Sequence, residues 1–241
     1  MPSQLKQQLK DSTLIVIVLF REPKVIQYSI NHLLSIITNR PNTWVVIINN
    51  NPQKGVTEVF NAIDHPQVIK FDLPFNFGKA LAANFFFNDY ITADNLPKTI
   101  VSLDPDTIFS KESFEHLVET SIQCPQVGML GMRFEQNECN PERNLFFPAK
   151  KVRGENNKIY NIKCPFMCTV AGPVLAIQGQ KILVDCNNQL FPKKEIKVYG
   201  GDDSALYNAL RRKYINGYLE GTQATHLFSA GKVASRYQNK L

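Results

Sequence analysis

No stretch of this sequence is apolar for long enough to cross a bilayer. The run Leu14 to Phe20 is far shorter than the roughly 20 residues of a spanning helix, and no small-residue cleavage site follows it. The expectation is a soluble protein, or one held at most on a membrane surface. Cysteine is scarce and odd in number, five in 241 residues, which argues against a disulfide framework and for a reducing cytoplasm. Cys164 and Cys168 are spaced for a metal but find no second Cys/His pair, so zinc is not expected. The familiar phosphate signatures are missing too. There is no G-x-x-x-x-G-K-S/T, and no G-x-G-x-x-G follows the first apolar run, which removes support for P-loop and dinucleotide readings. Repeats, low-complexity tracts and nucleic-acid motifs with interleaved aromatics are also absent, and no nucleic-acid partner is expected.

What remains is ordinary globular material with a positive balance. Apolar residues make up 44% and charged residues 20%, so neither disorder nor a fibrous repeat is implied. A chain of this length buries a good core as one α/β domain over residues 1–241. The formal net charge of +6 implies an anionic partner.

Periodicity organises the chain. Thr13 to Phe20 is continuously apolar and β-branched, as a strand covered on both faces would be. Pro23 opens a helical pattern through Ile26, Ile30, Leu33, Leu34 and Ile37 that Pro41 closes. Trp44 to Ile48 reads as a second buried strand, stopped by Asn49, Asn50, Asn51 and Pro52. A helix near Val56 to Ile63, a strand at Val68 to Phe71, a helix over Asn76 to Tyr90 and a strand at Thr99 to Leu103 follow. This alternation predicts parallel βαβ units. Past Ser110 a helix runs to about Cys124, and Val127 to Phe134 suits a strand. Glu135 to Lys163 breaks the alternation and reads as an excursion or hairpin. Val170 to Gln178 is a strand interrupted by Gly172-Pro173, and Asp202 to Lys213 is helical. Short strands at Ile215 to Leu219 and Gln223 to Leu227 precede a basic tail from Ser229.

In a parallel sheet, ligands bind outside the carboxyl ends of the strands. Those ends carry Phe20-Arg21-Glu22, Asn49-Asn50-Asn51 and Asp104-Pro105-Asp106, all polar and all on one rim. Taken alone, Asp104-Pro105-Asp106 has two readings: a turn that begins a helix capped by Ser110 or Ser113, or two oxygen ligands for a divalent cation. Asn76-Phe77-Gly78-Lys79 likewise reads as a helix cap with a solvated Lys79 or as a helix N-terminus facing an anion. Gly200-Gly201-Asp202-Asp203 opens a helix, where Asp202 suits a cap. His226 ends a short strand and by itself says little. Phe85-Phe86-Phe87 reads as core packing with one ring turned outward, and Arg211-Arg212-Lys213 as a favourable helix C-terminus.

The order of these motifs resembles the inverting GT-A glycosyltransferases of family two. The Leu-Asp-Pro-Asp-Thr form resembles bacterial enzymes that build surface polysaccharides such as lipopolysaccharide, rhamnosyltransferases among them. The resemblance spans Thr13 to about Phe228. It implies a GT-A fold: a Rossmann-like, mostly parallel central sheet flanked by helices, with a smaller acceptor-side subregion. Residues 1–109 would form the nucleotide-binding half, 110–228 the acceptor-binding half and 229–241 the basic tail. The resemblance also implies roles. Phe20, Arg21, Asn49 and Asn50 match the cradle for the base. Asp104 matches the first DxD carboxylate, near ribose or metal, and Asp106 the metal ligand. Asp203 matches the general base, with Asp202 at the Glu of a Glu-Asp pair. His226 matches a histidine that approaches the metal or the diphosphate, and Gly172 lies in the sugar and acceptor pocket. With Asn76, Gly78 and Lys79 these are the expected binding residues.

The implied activity is transfer of a sugar from a UDP- or dTDP-linked donor to a glycan or lipid-linked acceptor hydroxyl. The implied cofactor is Mn²⁺ or Mg²⁺; mixed oxygen and imidazole ligation suits Mn²⁺ somewhat better. The sequence departs from the family where the donor is read. Asn49 and Asn50 replace a common Asp, Leu19-Phe20-Arg21 replaces Thr-Tyr-Asn, and Ala83 replaces an Arg before Asn84. Rival readings are a non-catalytic nucleotide-sugar or glycan-binding module and a nucleotidyltransferase. The latter wants a Gly-rich loop followed by Arg and Lys, which Arg21-Glu22-Pro23 does not supply. A cytoplasmic enzyme touching the anionic inner face of the cytoplasmic membrane is the expected setting. The oligomeric state stays open.

Overall fold

The computed structural model describes residues 8–50, 53–135, 146–166, 168–170, 172–192, 201–229 and 231–240. Asn51, Pro52 and Gly200 of the rim motifs lie outside the described residues. The strands β1 (Thr13–Leu19), β2 (Thr43–Asn49), β3 (Val68–Asp72) and β4 (Thr99–Leu103) alternate with helices α1 (Pro23–Ile37), α2 (Lys54–Ala62) and α3 (Gly78–Tyr90). They pair in parallel in the order β3-β2-β1-β4.

β1 is buried along its whole length because it serves two cores. Side chains alternate across a strand. Ile15, Ile17 and Leu19 join Ile26, Ile30 and Phe60 on the α1 and α2 side. Leu14, Val16 and Val18 join Ala83, Phe86 and Phe87 of α3 on the other. The Phe triplet divides as its pattern predicts: Phe86 and Phe87 are buried, and Phe85 is 36% exposed.

After β4 the plan changes. A short strand β5 (Thr107–Phe109) precedes α4 (Lys111–Gln123), whose Ser110 cap accepts from the Ser113 N–H at 3.1 Å. The sequence then gives β6 (Val127–Phe134), a hairpin of β7 (Lys150–Arg153) and β8 (Ile159–Lys163), β9 (Val174–Gln178), α5 (Gly179–Asp185), α6 (Asp202–Leu210) and β10 (Ile215–His226). The nine-strand path runs β3-β2-β1-β4-β9-β6-β10-β8-β7, with β5 pairing β10. β9 lies antiparallel between β4 and β6. Parallel pairing is therefore confined to the first four strands and the β6–β10 pair. β9 follows a hairpin and not a crossover helix, and a chain that returns without a crossover pairs antiparallel.

Several segments differ from the sequence expectation in detail: β5 and α5 are additions to it, and the strand expected from Val170 begins at Val174. The two short strands expected over residues 215–227 are one strand, β10, whose register with β6 shifts between Tyr218 and Gln223. The polar break Glu220-Gly221 is an irregularity in a continuous ladder and not a turn. The basic tail is folded. Strands β11 (Phe228–Ser229) and β12 (Lys232–Val233) pair, and a 3₁₀ turn at Ser235–Lys240 follows. Tyr237 packs against Tyr28 of α1, and Arg236 forms an ion pair with Glu135. No helix among the described residues is long and apolar enough to cross a membrane.

One buried charge makes a stability prediction. Lys181 on α5 is 4% exposed; its ammonium donates to the Val127 carbonyl and lies 4.6 Å from the Tyr214 ring centroid. Burial pushes its pKa from 10.5 down to about 8, with Asp185 opposing. Below about pH 8 the folded chain buries a charge that the unfolded chain leaves in water. That cost is complete at pH 7 and fades as pH rises toward the ordinary lysine value. The stability of Lys181→Met, measured relative to the parent, falls by about 2 kcal/mol between pH 7 and pH 10. Urea melts at the two pH values check it; a pH-independent difference would mean that Lys181 titrates as an exposed lysine.

Candidate active site

Four strand ends and two helix starts converge on one rim of the sheet around a cleft of about 320 Å³. β1 contributes Phe20, Arg21 and Glu22; the β2 end, Asn50; and the α3 start, Gly78 and Lys79. Asp104, Pro105 and Asp106 follow β4, Gly201, Asp202 and Asp203 open α6, and His226 ends β10. β10 reaches the same rim because it is parallel to β6, which the antiparallel β9 separates from β4.

Backbone hydrogen bonds fix the Asp-Pro-Asp segment. The Asp104 N–H donates to the Pro173 carbonyl at 2.8 Å, and the Leu227 N–H donates to the Asp106 carbonyl at 2.8 Å. The second bond sets Asp106 beside His226, whose Nε2 lies 2.8 Å from Asp106 Oδ1. Burial opposes charge on His226, but the Asp106 carboxylate outweighs it and holds the imidazole pKa above its ordinary value. One ligand atom each from Asp104, Asp106 and His226 falls within 4.8 Å of the others, the one such group among the described residues. A single small cation with ligand distances of about 2.1 Å holds opposite ligand atoms about 4.2 Å apart and adjacent ones about 3 Å apart, so the three side chains close up modestly around it. Two carboxylates and an imidazole also form a donor set that suits Mn²⁺ or Mg²⁺. The group fits.

The other side of the cleft is acidic as well. Gly201, at φ 78°, caps α6 in the left-handed region that glycine adopts without strain. Asp202 therefore lies in the first turn and not at the cap, with Asp203 beside it, where the helix dipole favours negative charge. Asp203 Oδ2 accepts from the Gly172 N–H at 3.3 Å, and no described residue donates to Oδ1. Burial pushes the Asp203 pKa up, with Asp104 and Asp202 adding to it and Lys79 opposing. Lys79 is half-buried and paired, not a free surface lysine. Its Nζ lies 2.6 Å from Asp104 Oδ1 and 5.3 Å from the Phe191 ring centroid. Burial opposes its charge, yet Asp104, Asp203 and Asp202 together hold its pKa above the ordinary lysine value.

The structure brings ten of the thirteen expected site residues to the cleft wall; Asn49, Asn76 and Gly172 do not line it. Asn49 is 1% exposed, and its Nδ2 donates to Asp72 at 2.8 Å. Asn50 Oδ1 accepts from the Phe77 N–H at 2.9 Å and its Nδ2 donates to Asn76 Oδ1, which also accepts from the Gly78 N–H. These amides fix the loop that delivers Gly78 and Lys79. Sequence reasoning missed Phe228, which lines the cleft and faces Arg21 at 5.5 Å. The available signal was its spacing: residues two apart on an extended chain share a face, here that of His226.

Comparisons with known proteins bear on the family and the fold. The model described as Glycosyl transferase family 2 matches residues 14–174. Among solved structures, mannosyltransferase PcManGT from Pyrobaculum calidifontis, in complex with GDP-Man and Mn²⁺, is similar at TM-score 0.65 and 14% identity, over 92% of this chain and 59% of that one. GalNAc-T7 with UDP, GalNAc and Mn²⁺ is similar at 0.61 and 11%, over 94% and 46%. S. aureus TarS 1-349 gives 0.57 and 12%, over 92% and 59%. The chain thus spans about half the length of these structures. No curated protein matches the sequence.

Proposed function

The chain belongs to glycosyl transferase family 2, and from that premise we propose that it moves a sugar from a nucleotide diphosphate sugar to an acceptor hydroxyl with inversion. The observation that carries the reading is the Asp104, Asp106 and His226 group on the sheet rim, with Asp203 in the same cleft. Asp106 and His226, with Asp104, would hold Mn²⁺ or Mg²⁺. A divalent ion bound there supplies positive charge to diphosphate oxygens, which grow more negative as the glycosidic bond breaks.

Asp203 accepts the acceptor's proton while the acceptor oxygen bonds to the anomeric carbon. The bond from that carbon to the diphosphate breaks, and the nucleoside diphosphate leaves. One displacement needs one catalytic carboxylate and inverts the anomeric centre. Lys79 adds a second positive charge on the side of the departing group. Arg21, flanked by the Phe20 and Phe228 rings at 5.8 and 5.5 Å, offers a planar face for the base.

The donor is proposed as UDP- or dTDP-linked and the acceptor as a bacterial surface glycan or its lipid-linked precursor. The net charge of +6 and the four free thiols among the described residues fit a cytoplasmic enzyme that visits the anionic inner leaflet. Failure to cosediment with anionic vesicles at low salt would count against the membrane contact. The activity is tested by incubating purified protein and Mn²⁺ with UDP-, dTDP- and GDP-sugars and following donor cleavage. Cleavage of at least one is expected. Binding of a nucleoside diphosphate without any cleavage or transfer would favour a non-catalytic binding module instead.

A further inference from the structure

Both carboxylates that a cation would use already have partners within the protein. Asp106 is engaged by His226 at 2.8 Å, and Asp104 by the Lys79 ammonium at 2.6 Å. The second pair is the informative one. Lys79 and Asp104 are each 26% exposed, so bulk water screens the pair incompletely. Lys79 is the second residue of α3, directly after Gly78, so its ammonium stands where a helix N-terminus already favours an anion. Asn50 and Asn76 brace that turn from behind. The Phe191 ring covers the ammonium at 5.3 Å, and Asn84 holds Phe191 through both its N–H and its carbonyl, at 3.1 and 2.9 Å. The lysine is positioned, not dangling.

A divalent ion entering the Asp104, Asp106 and His226 group meets two obstacles from Lys79. It has to compete with the ammonium, which sits on Oδ1, for the Asp104 carboxylate, and it brings two positive charges close to a third. A diphosphate in the same cleft removes both obstacles, because its oxyanions offer the ammonium a new partner and offset the added charge.

We propose that Lys79 occupies Asp104 in the cation's place until a nucleoside diphosphate arrives, so that the divalent ion binds weakly alone and tightly with the nucleotide. This rests on the reading of the cleft as a cation and diphosphate site. Lys79 is then a positioning residue that couples two ligands. Coupling is reciprocal, so the factor by which nucleotide tightens Mn²⁺ equals the factor by which Mn²⁺ tightens nucleotide.

The test measures Mn²⁺ affinity of the full chain from the free-ion electron paramagnetic resonance signal, alone and with UDP or GDP in separate arms. Lys79→Met is expected to bind Mn²⁺ alone about tenfold tighter than the parent, with the nucleotide-induced gain reduced by the same factor. Lys79→Gln, which keeps a hydrogen-bond donor without the charge, shifts the same way; Lys79→Arg stays with the parent. Unchanged or weaker Mn²⁺ binding by folded Lys79→Met and Lys79→Gln overturns the proposal. Asp106→Asn separates this from failure of the underlying reading. If that variant binds Mn²⁺ as the parent does, the cation site itself is elsewhere.

Discussion

Asp203→Asn is expected to lower the rate of sugar transfer by about 10²–10⁴, the usual contribution of a positioned general base, and to leave Mn²⁺ and nucleotide binding in place. The carboxylate holds no metal-cluster atom, and the Asp104–Lys79 and Asp106–His226 pairs do not depend on it. The variant therefore loses chemistry and keeps the ligands. Its pH behaviour follows from the raised pKa. A base works only when ionised, so the parent's rate rises with pH through an apparent pKa above the ordinary carboxylate range. Stability moves the other way. A carboxyl group with a raised folded pKa loses its contribution to stability as pH rises through the ordinary value and then the raised one. Asp203→Asn at pH 7 is accordingly no less stable than the parent. Loss of activity with retained stability is the pattern expected of a group strained for function. A variant with near-parent rates would remove Asp203 from the base role.

Asp106→Ala has the other large effect, an expected loss of about 10³ in metal-supported transfer, roughly 4 kcal/mol of barrier. Here the loss has a binding component. Asp106 is both a member of the cation group and the partner that orients the His226 ring and raises its pKa. Removing it leaves a buried imidazole without its carboxylate and the cation with His226 and with Asp104, which Lys79 contests. Mn²⁺ titrations should show no saturable site in the micromolar to low millimolar range typical of such ions. A chelator applied to the parent should reproduce the loss, and added Mn²⁺ should reverse it. Parent-like Mn²⁺ dependence in Asp106→Ala would place the ion outside this group.

The first half of the fold was legible because one strong pattern governs it. β1, β2 and β4 are buried on both faces, so their apolar runs are unbroken, and Pro23 and Pro41 bracket α1. The rim followed directly, since parallel strands put all their carboxyl ends on one side. The second half depends on pairing that local pattern does not encode. Val174–Gln178 is equally apolar whether it runs parallel or antiparallel to β4, and only the hairpin before it decides.

Within the site, the difference between Asn49 and Asn50 is strand alternation: adjacent side chains point to opposite faces, so one lines the cleft and the other is buried against Asp72. The Lys79–Asp104 pair was unreadable for a different reason. The two residues are 25 positions apart, and nothing in either local motif sets the distance between a helix start and a strand end. The motifs named the participants; the sheet decided which of them meet.

We propose that one cleft holds a divalent ion on Asp104, Asp106 and His226 together with a nucleoside diphosphate. The most direct test is a crystal of the full chain grown with Mn²⁺ and UDP, with anomalous data collected at the manganese edge. The expected result is a manganese peak at coordination distance from Asp104, Asp106 and His226 and beside the diphosphate, with the Lys79 ammonium turned from Asp104 toward the diphosphate. A peak elsewhere, or a nucleotide bound away from the β1, β2 and β4 ends, would contradict it.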